Sequence, residues 1–187
     1  MILQTKRLFL RELQQTDLPD LAEILQDPKV VYAYEHTFTD GDVFAWLDRQ
    51  RNRYAQWGFG LWAVLLKESG EMIGQAGLTM QPCEGEQVLE IGYLLKVRFW
   101  HHGYAREAAE GCKRYAFETL DADRVYAIIK ADNEPSKRVA RAIGMSRVKE
   151  FFTEYYHGQM LHELYGAERP ACGHPCERQA KKPADFR

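Results

Sequence analysis

Between residues 86 and 131 the sequence runs strand, helix, strand with almost nothing in between, and that unit constrains the fold more than any other stretch. "EQVLEIGYLLKVRF" (86–99) and "RVYAIIKA" (124–131) are rich in strand formers, and the "YAREAAEGCKRYAFETL" between them (104–120) has a helical pattern. Two strands joined through one helix lie parallel, with the crossover packed back onto their sheet. The junction "RFWHHGYARE" (98–107) has no cluster of turn residues, only two histidines and Gly103. A helix that begins so abruptly leaves its first N–H groups without intrahelical partners, at the positive end of its dipole. Such a terminus suits a phosphate, and glycine suits a backbone that must approach a ligand closely or adopt an unusual φ. Arg98, His101, His102 and Arg106 add donors and positive charge. On spacing alone this is a weak signal, and a plain turn with solvent-facing histidines is the simpler reading.

The flanking pattern fits one mixed sheet. "ILQTKRLFL" (2–10) reads as a first strand. "TDLPDLAEILQDP" (16–28) reads as a helix capped by Thr16 or Asp17, with Leu18, Leu21 and Leu25 inward and Pro28 beyond its end. A second helix covers about 42–56, with Phe44, Leu47 and Tyr54 at helical spacings and Gly58 past its end. "FGLWAVLLK" (59–67) and "EMIGQAGLTMQ" (71–81) form a hairpin around Ser69-Gly70. Residues 133–144 form a short helix capped by Asn133, with Pro135 in its first turn and Gly144 as its stop. "MSRVKEFFTEYY" and "GQMLHELYG" make a last hairpin turning at His157-Gly158. The order β-α-α-β-β-β-α-β-α-β-β gives an α+β fold in one domain, residues 1–169. The tail 170–187 reads as irregular. Its Cys172, His174 and Cys176 fall short of the roughly four ligands of a structural metal site, so no metal is expected.

Composition excludes several classes. With 187 residues, 45% hydrophobic content and a net charge of −2, the chain is no disordered or strongly basic protein, which argues against a nucleic-acid partner. Charges interrupt the apolar N-terminus and no stretch approaches the roughly 20 apolar residues of a membrane span, so a cytoplasmic protein without a membrane partner is expected. The few cysteines read as reduced thiols, with Cys112 buried in its helix.

Three separated stretches together resemble a known family. "IGYLLKVRFWHHGYAREAAEGCKRYAFE" followed by "DNEPSKRVARAIGM" is similar to the acetyl-CoA signature of the GNAT N-acetyltransferases, in the RimJ/RimL-like branch, and "TKRLFLREL" resembles that branch's opening. The resemblance runs from about Thr5 to Tyr165. It implies the GNAT fold, with a V-shaped splay between the fourth and fifth strands, and acetyl-CoA as co-substrate. It further implies that Trp100, His101, His102, Gly103, Tyr104, Ala105 and Arg106 wrap the pyrophosphate of CoA. Trp100 replaces the usual Gln or Arg. His101 stands where the branch usually has glycine, and His102 where a basic residue is frequent, so binding of CoA is expected to depend on pH. Tyr93, Leu94 and Leu95 match the strand whose backbone pairs with pantetheine, one N–H polarising the thioester carbonyl.

The same resemblance places Asn133 against the CoA arm, although an N-cap is its equally simple role. It places Ser136 near the thiol as a proton donor; the tyrosine that does this in other members would fall at Ala140. Glu90 matches a general base, the alternative being a carboxylate that orients substrate or pairs with a basic residue. An amine of pKa near 10 is mostly protonated at pH 7, so the chemistry needs a proton acceptor. Glu35, His36, Tyr155 and His162 are further candidates for the acceptor side, and the aromatic face with Phe44, Trp46 and Tyr54 either shapes that cleft or only packs. The expected function is acetyl transfer to an amine acceptor, a protein N-terminus or a small molecule such as an aminoglycoside, a polyamine or an amino-acid analogue. A non-catalytic acyl-CoA sensor is the runner-up. A homodimer is left open.

Overall fold

The computed structural model describes residues 1–155 and 158–170. The first strand expected over 2–10 is instead a tight hairpin, β1 (Leu3–Gln4) and β2 (Leu8–Arg11). Thr5 closes it: its N–H donates to Leu8 O at 2.9 Å, and its hydroxyl accepts from Leu8 N at 3.1 Å. Helix α1 (Leu18–Leu25) follows. Pro28 does not lie idle beyond it but opens the short helix α2 (Pro28–Val31), where proline's missing N–H costs nothing and Asp27 caps Lys29 N. Helix α3 (Asp40–Trp57) starts earlier than its apolar spacing suggests, because Thr39 and Asp42 form a reciprocal capping box. Its buried face is Val43, Trp46, Leu47 and Gln50, while Phe44 is 51% exposed.

Strands β3 (Leu61–Leu66), β4 (Met72–Cys83) and β5 (Glu86–Leu95) come next, then α4 (Tyr104–Glu118), β6 (Arg124–Lys130) and α5 (Glu134–Ala142). The chain closes with β7 (Ser146–Tyr155) and β8 (Gly158–Glu168). The final turn at His157 and the tail with Cys172, His174 and Cys176 lie outside the described residues. β5 stops at Leu95, short of the expected 99. There Lys96 turns inward to Asp20 (2.5 Å) and Glu23 (2.7 Å), and 97–99 form a single 3-10 turn.

All eight strands belong to one sheet in the order β1-β2-β3-β4-β5-β6-β8-β7, antiparallel except for β5 against β6. α4 and α5 cover one face with a core that includes Leu8, Trp62, Ile73, Ile91, Cys112 and Val125. α1 to α3 cover the other, around Leu21, Ile24, Trp46, Ala63 and Leu65. Each large buried side chain contributes about 1.5–3 kcal/mol of transfer free energy. At Gly77 the backbone leading into β3 comes so close that a Cβ would fall 2.0 Å from Gly60 O, so glycine is required there.

Candidate active site

The site grows out of the parallel seam. β4 pairs with β5 from Gly74↔Leu95 to Cys83↔Glu86, and β6 pairs with β8 along its whole length, yet β5 and β6 share one ladder pair, Glu90↔Tyr126. The side chain of Glu90 explains the parting. Its Oε1 accepts from the N–H of Ile128 at 3.4 Å, while Oε2 accepts from the Thr79 hydroxyl at 3.1 Å. A carboxylate thus meets an amide of β6 near the point where the strands part, and beyond it the strands diverge in the V expected from sequence. Strand alternation turns Glu90, Gly92 and Leu94 toward α3. Burial, opposed by the hydrogen bonds from Thr79 and Ile128 and by the charge of Arg53, pushes the Glu90 carboxyl up to about 7.

At the end of the V lies the junction between β5 and α4. The Trp100 indole donates to Leu95 O at 2.8 Å and so terminates β5. His101 (φ 63) and Gly103 (φ 79) both lie in the left-handed region, and Gly103 caps α4 without any side-chain cap bond. The first helical bond of the turn is Glu107 N to Gly103 O at 3.0 Å. The N–H groups of Tyr104, Ala105 and Arg106 therefore have no partner among the described residues. A Cβ on Gly103 would meet only Arg7 Nη2, at 3.5 Å, so positive φ rather than crowding is what demands glycine in the free protein. His102 Nδ1 sits 2.6 Å from Trp100 O, which fixes the proton on that nitrogen, and its ring stacks on Tyr104. Arg98 is not part of this cradle: its guanidinium is held by Glu23 and Glu71.

Across the V stands α5. Asn133 Oδ1 accepts from Ser136 N at 3.1 Å, so its side chain acts as the N-cap. The Tyr93 hydroxyl donates to Ser136 O at 3.3 Å and joins β5 to the first turn of α5, and burial pushes its phenol up to about 12. One opening thus gathers a carboxyl with a raised pKa, a set of free helix-terminal amides, and the half-buried Ser136.

Residues 7–146 match the family model described as the acetyltransferase (GNAT) domain. The chain belongs to the GNAT acetyltransferase family. It is 35% identical over 144 residues to the uncharacterized protein YkkB of Bacillus subtilis, a match covering 76% of this chain and 84% of that protein. It is 29% identical to the uncharacterized N-acetyltransferase YnaD of the same organism, over 87% of this chain and 99% of the other. In fold it resembles the crystal structure of a GNAT-family acetyltransferase from Bacillus anthracis, with a TM-score of 0.76, 24% identity and coverage of 90% and 98%. The protein is accordingly an acyltransferase of the N-acetyltransferase kind, and its family implies use of acetyl-CoA.

Within this GNAT acetyltransferase the N-terminal motif acquires a partner that sequence reasoning missed. Glu107, in the first turn of α4, accepts from the Thr5 hydroxyl (2.6 Å), Arg7 N (2.7 Å) and Arg7 Nε (2.6 Å). Arg7 also donates to His102 O at 3.0 Å and lies 4.3 Å over the Tyr104 ring. The hairpin turn therefore holds the loop between β5 and α4 from behind. The motif "TKRL" was visible, but its partner a hundred residues away was not. Thr79, bonded to Glu90, was missed as well: a threonine within an ordinary strand carries no signal of its own.

The other acceptor-side candidates with described side chains each have a partner. Glu35 pairs with Lys130 at 2.6 Å, and His36 lies 3.7 Å from Asp42. His162 is buried with Nδ1 3.1 Å from Met160 O, and the side chain of Tyr155 is outside the described residues. Cys112 is fully buried, its thiol pushed up to about 12, which suits packing and not nucleophilic attack. Among the described residues no helix is long and apolar enough to cross a membrane, and no group of His, Cys, Asp and Glu could hold a metal ion.

Proposed function

We propose that this acetyltransferase moves the acetyl group of acetyl-CoA directly onto a primary amine, with Glu90 as the general base. The observation that carries the reading is the Glu90 carboxyl, held where the strands part and pushed up to about 7. The pyrophosphate binds the N–H groups of Tyr104, Ala105 and Arg106, within the loop of Trp100, His101, His102 and Gly103. Pantetheine lies along the free edge of Tyr93, Leu94 and Leu95, where a backbone N–H polarises the thioester carbonyl. The amine nitrogen attacks that carbon, Glu90 takes its proton directly or through one water, and the C–S bond breaks. The Ser136 hydroxyl donates to the departing thiolate and regains its proton from water, while Asn133 holds the turn that presents it; the proton held by Glu90 is released to solvent. The opening motif and the loop support a place in the RimJ/RimL-like branch, with one catalytic unit over residues 1–169 acting in the cytoplasm.

Release of free CoA thiol, measured with acetyl-CoA across a panel of amines, tests the reading. Glu90→Gln is expected to lower kcat on the order of 10²-fold with little change in affinity for acetyl-CoA. Wild-type activity should fall as pH drops through about 7, because the protonated carboxyl cannot accept the amine's proton. A variant that keeps both rate and pH profile would remove Glu90 from the role.

A further inference from the structure

Among the described residues the arginines are paired with a carboxylate or exposed, with one exception. Of the half-buried ones among the described residues, Arg11 pairs with Asp17 at 2.7 Å and Arg169 with Asp121, but Arg53 pairs with no carboxylate. Its bond is to Gln50 Oε1, a weak 3.3 Å contact to a neutral amide. Gln50 is fully buried, and that same oxygen already accepts from Leu61 N at 3.0 Å. Arg49, one turn earlier, covers the Trp46 ring at 5.5 Å and is likewise without a carboxylate partner. A guanidinium that is half out of water and unpaired is costly unless something else supplies the anion.

Its place in the fold indicates what that is. A Cβ added to Gly60 would lie 3.3 Å from Arg53 Cβ; Gly60 O fills the space over Gly77; and Gly77 pairs with Gly92. Gly92 is two residues from Glu90 on the same face, and a Cβ there would meet only Leu61 Cδ2, at 3.3 Å. Arg53 and Glu90 thus stand at the two ends of a row of glycines. Each lies within the other's electrostatic field without touching it.

We infer that the acceptor is an amine carrying a carboxylate a few bonds from its nitrogen, with Arg53 binding the carboxylate while Glu90 receives the amine. The inference rests on the proposed role of Glu90. The planar fork of arginine matches a carboxylate through two parallel N–H donors. Both a free amino acid and a peptide with an acidic first residue offer that chemistry.

Matched pairs test it: a free amino acid against its carboxamide, and a glutamyl tripeptide amide against the glutaminyl one. The carboxylate member of at least one pair is expected to have the higher kcat/KM, on the order of tenfold. In Arg53→Gln that ratio should fall toward one, with the loss in KM and with KM for acetyl-CoA unmoved. Arg53→Lys should keep part of it, and melting curves identify any variant that fails to fold. Equal rates within both pairs of the wild type, a preference for a polyamine, or a ratio that survives in a folded Arg53→Gln would each overturn the inference. Calorimetric titration of the same compounds into the CoA complex separates it from the proposed function. Arg53-dependent binding of the acid without turnover sinks only the catalytic reading, whereas turnover of amines blind to the carboxylate sinks only this one.

Discussion

Glu90 has two consequences that separate in experiment. In its proposed role as base it needs to be ionised, yet ionisation in its site is opposed by burial. A carboxyl whose folded pKa is raised to about 7 from 4.5 contributes stability that is complete below the lower value and lost as pH rises through the higher one. Glu90→Gln should therefore melt progressively higher than the wild type as pH goes from about 4 to 8, while its activity is lowest throughout. Thermal melts across that range check the first part independently of turnover. His101 makes a second case. A residue with a Cβ at φ 63 carries about 1–2 kcal/mol of local strain that glycine escapes. His101→Gly should raise Tm by a few degrees. The helix-terminal amides do not depend on that side chain, so affinity for acetyl-CoA should change little.

At the level of elements, the anion loop is a strand end and a helix start held by a hairpin from the other end of the chain. Arg7 touches none of the reacting atoms in this scheme; it is a positioning residue, acting through Glu107 and the carbonyl of His102. Arg7→Ala should raise KM for acetyl-CoA several-fold and leave kcat near its wild-type value, which steady-state kinetics at saturating acceptor would show. Global destabilisation alone would not split the two constants, and Arg7→Lys should restore part of the loss. Gly103→Val should cost more, since a β-branched residue cannot readily hold φ 79 at the cap of α4. Weakened CoA binding in a folded variant, read by titration, is the expected result.

For the whole molecule, much of the architecture was legible because it rests on local rules. The strand-helix-strand unit, the last hairpin and the stop at Gly144 follow from periodicity and capping. The expectations that needed correction each depended on a distant partner. β5 ends early because Lys96 meets Asp20 and Glu23, Arg98 is drawn from the loop by Glu23 and Glu71, and the first strand folds back where Thr5 meets Leu8. The candidate site was named as a set of positions through its resemblance to a family. Its physical causes, such as the carboxylate of Glu90 at the parting of two strands, belong to three-dimensional packing that a single sequence does not display.

That parting leaves the sheet with two edges in its middle, and time rather than geometry is where it shows. Main-chain N–H groups of β5 that face the gap have no ladder partner on β6 beyond Glu90, although their neighbours on the β4 side are locked in a ladder. Deuterium should enter the first set within the dead time of a quench-flow experiment and the second only over hours. Addition of CoA should slow the exposed set alone, so a segment of 91–95 records in its own isotope content whether the cleft is filled.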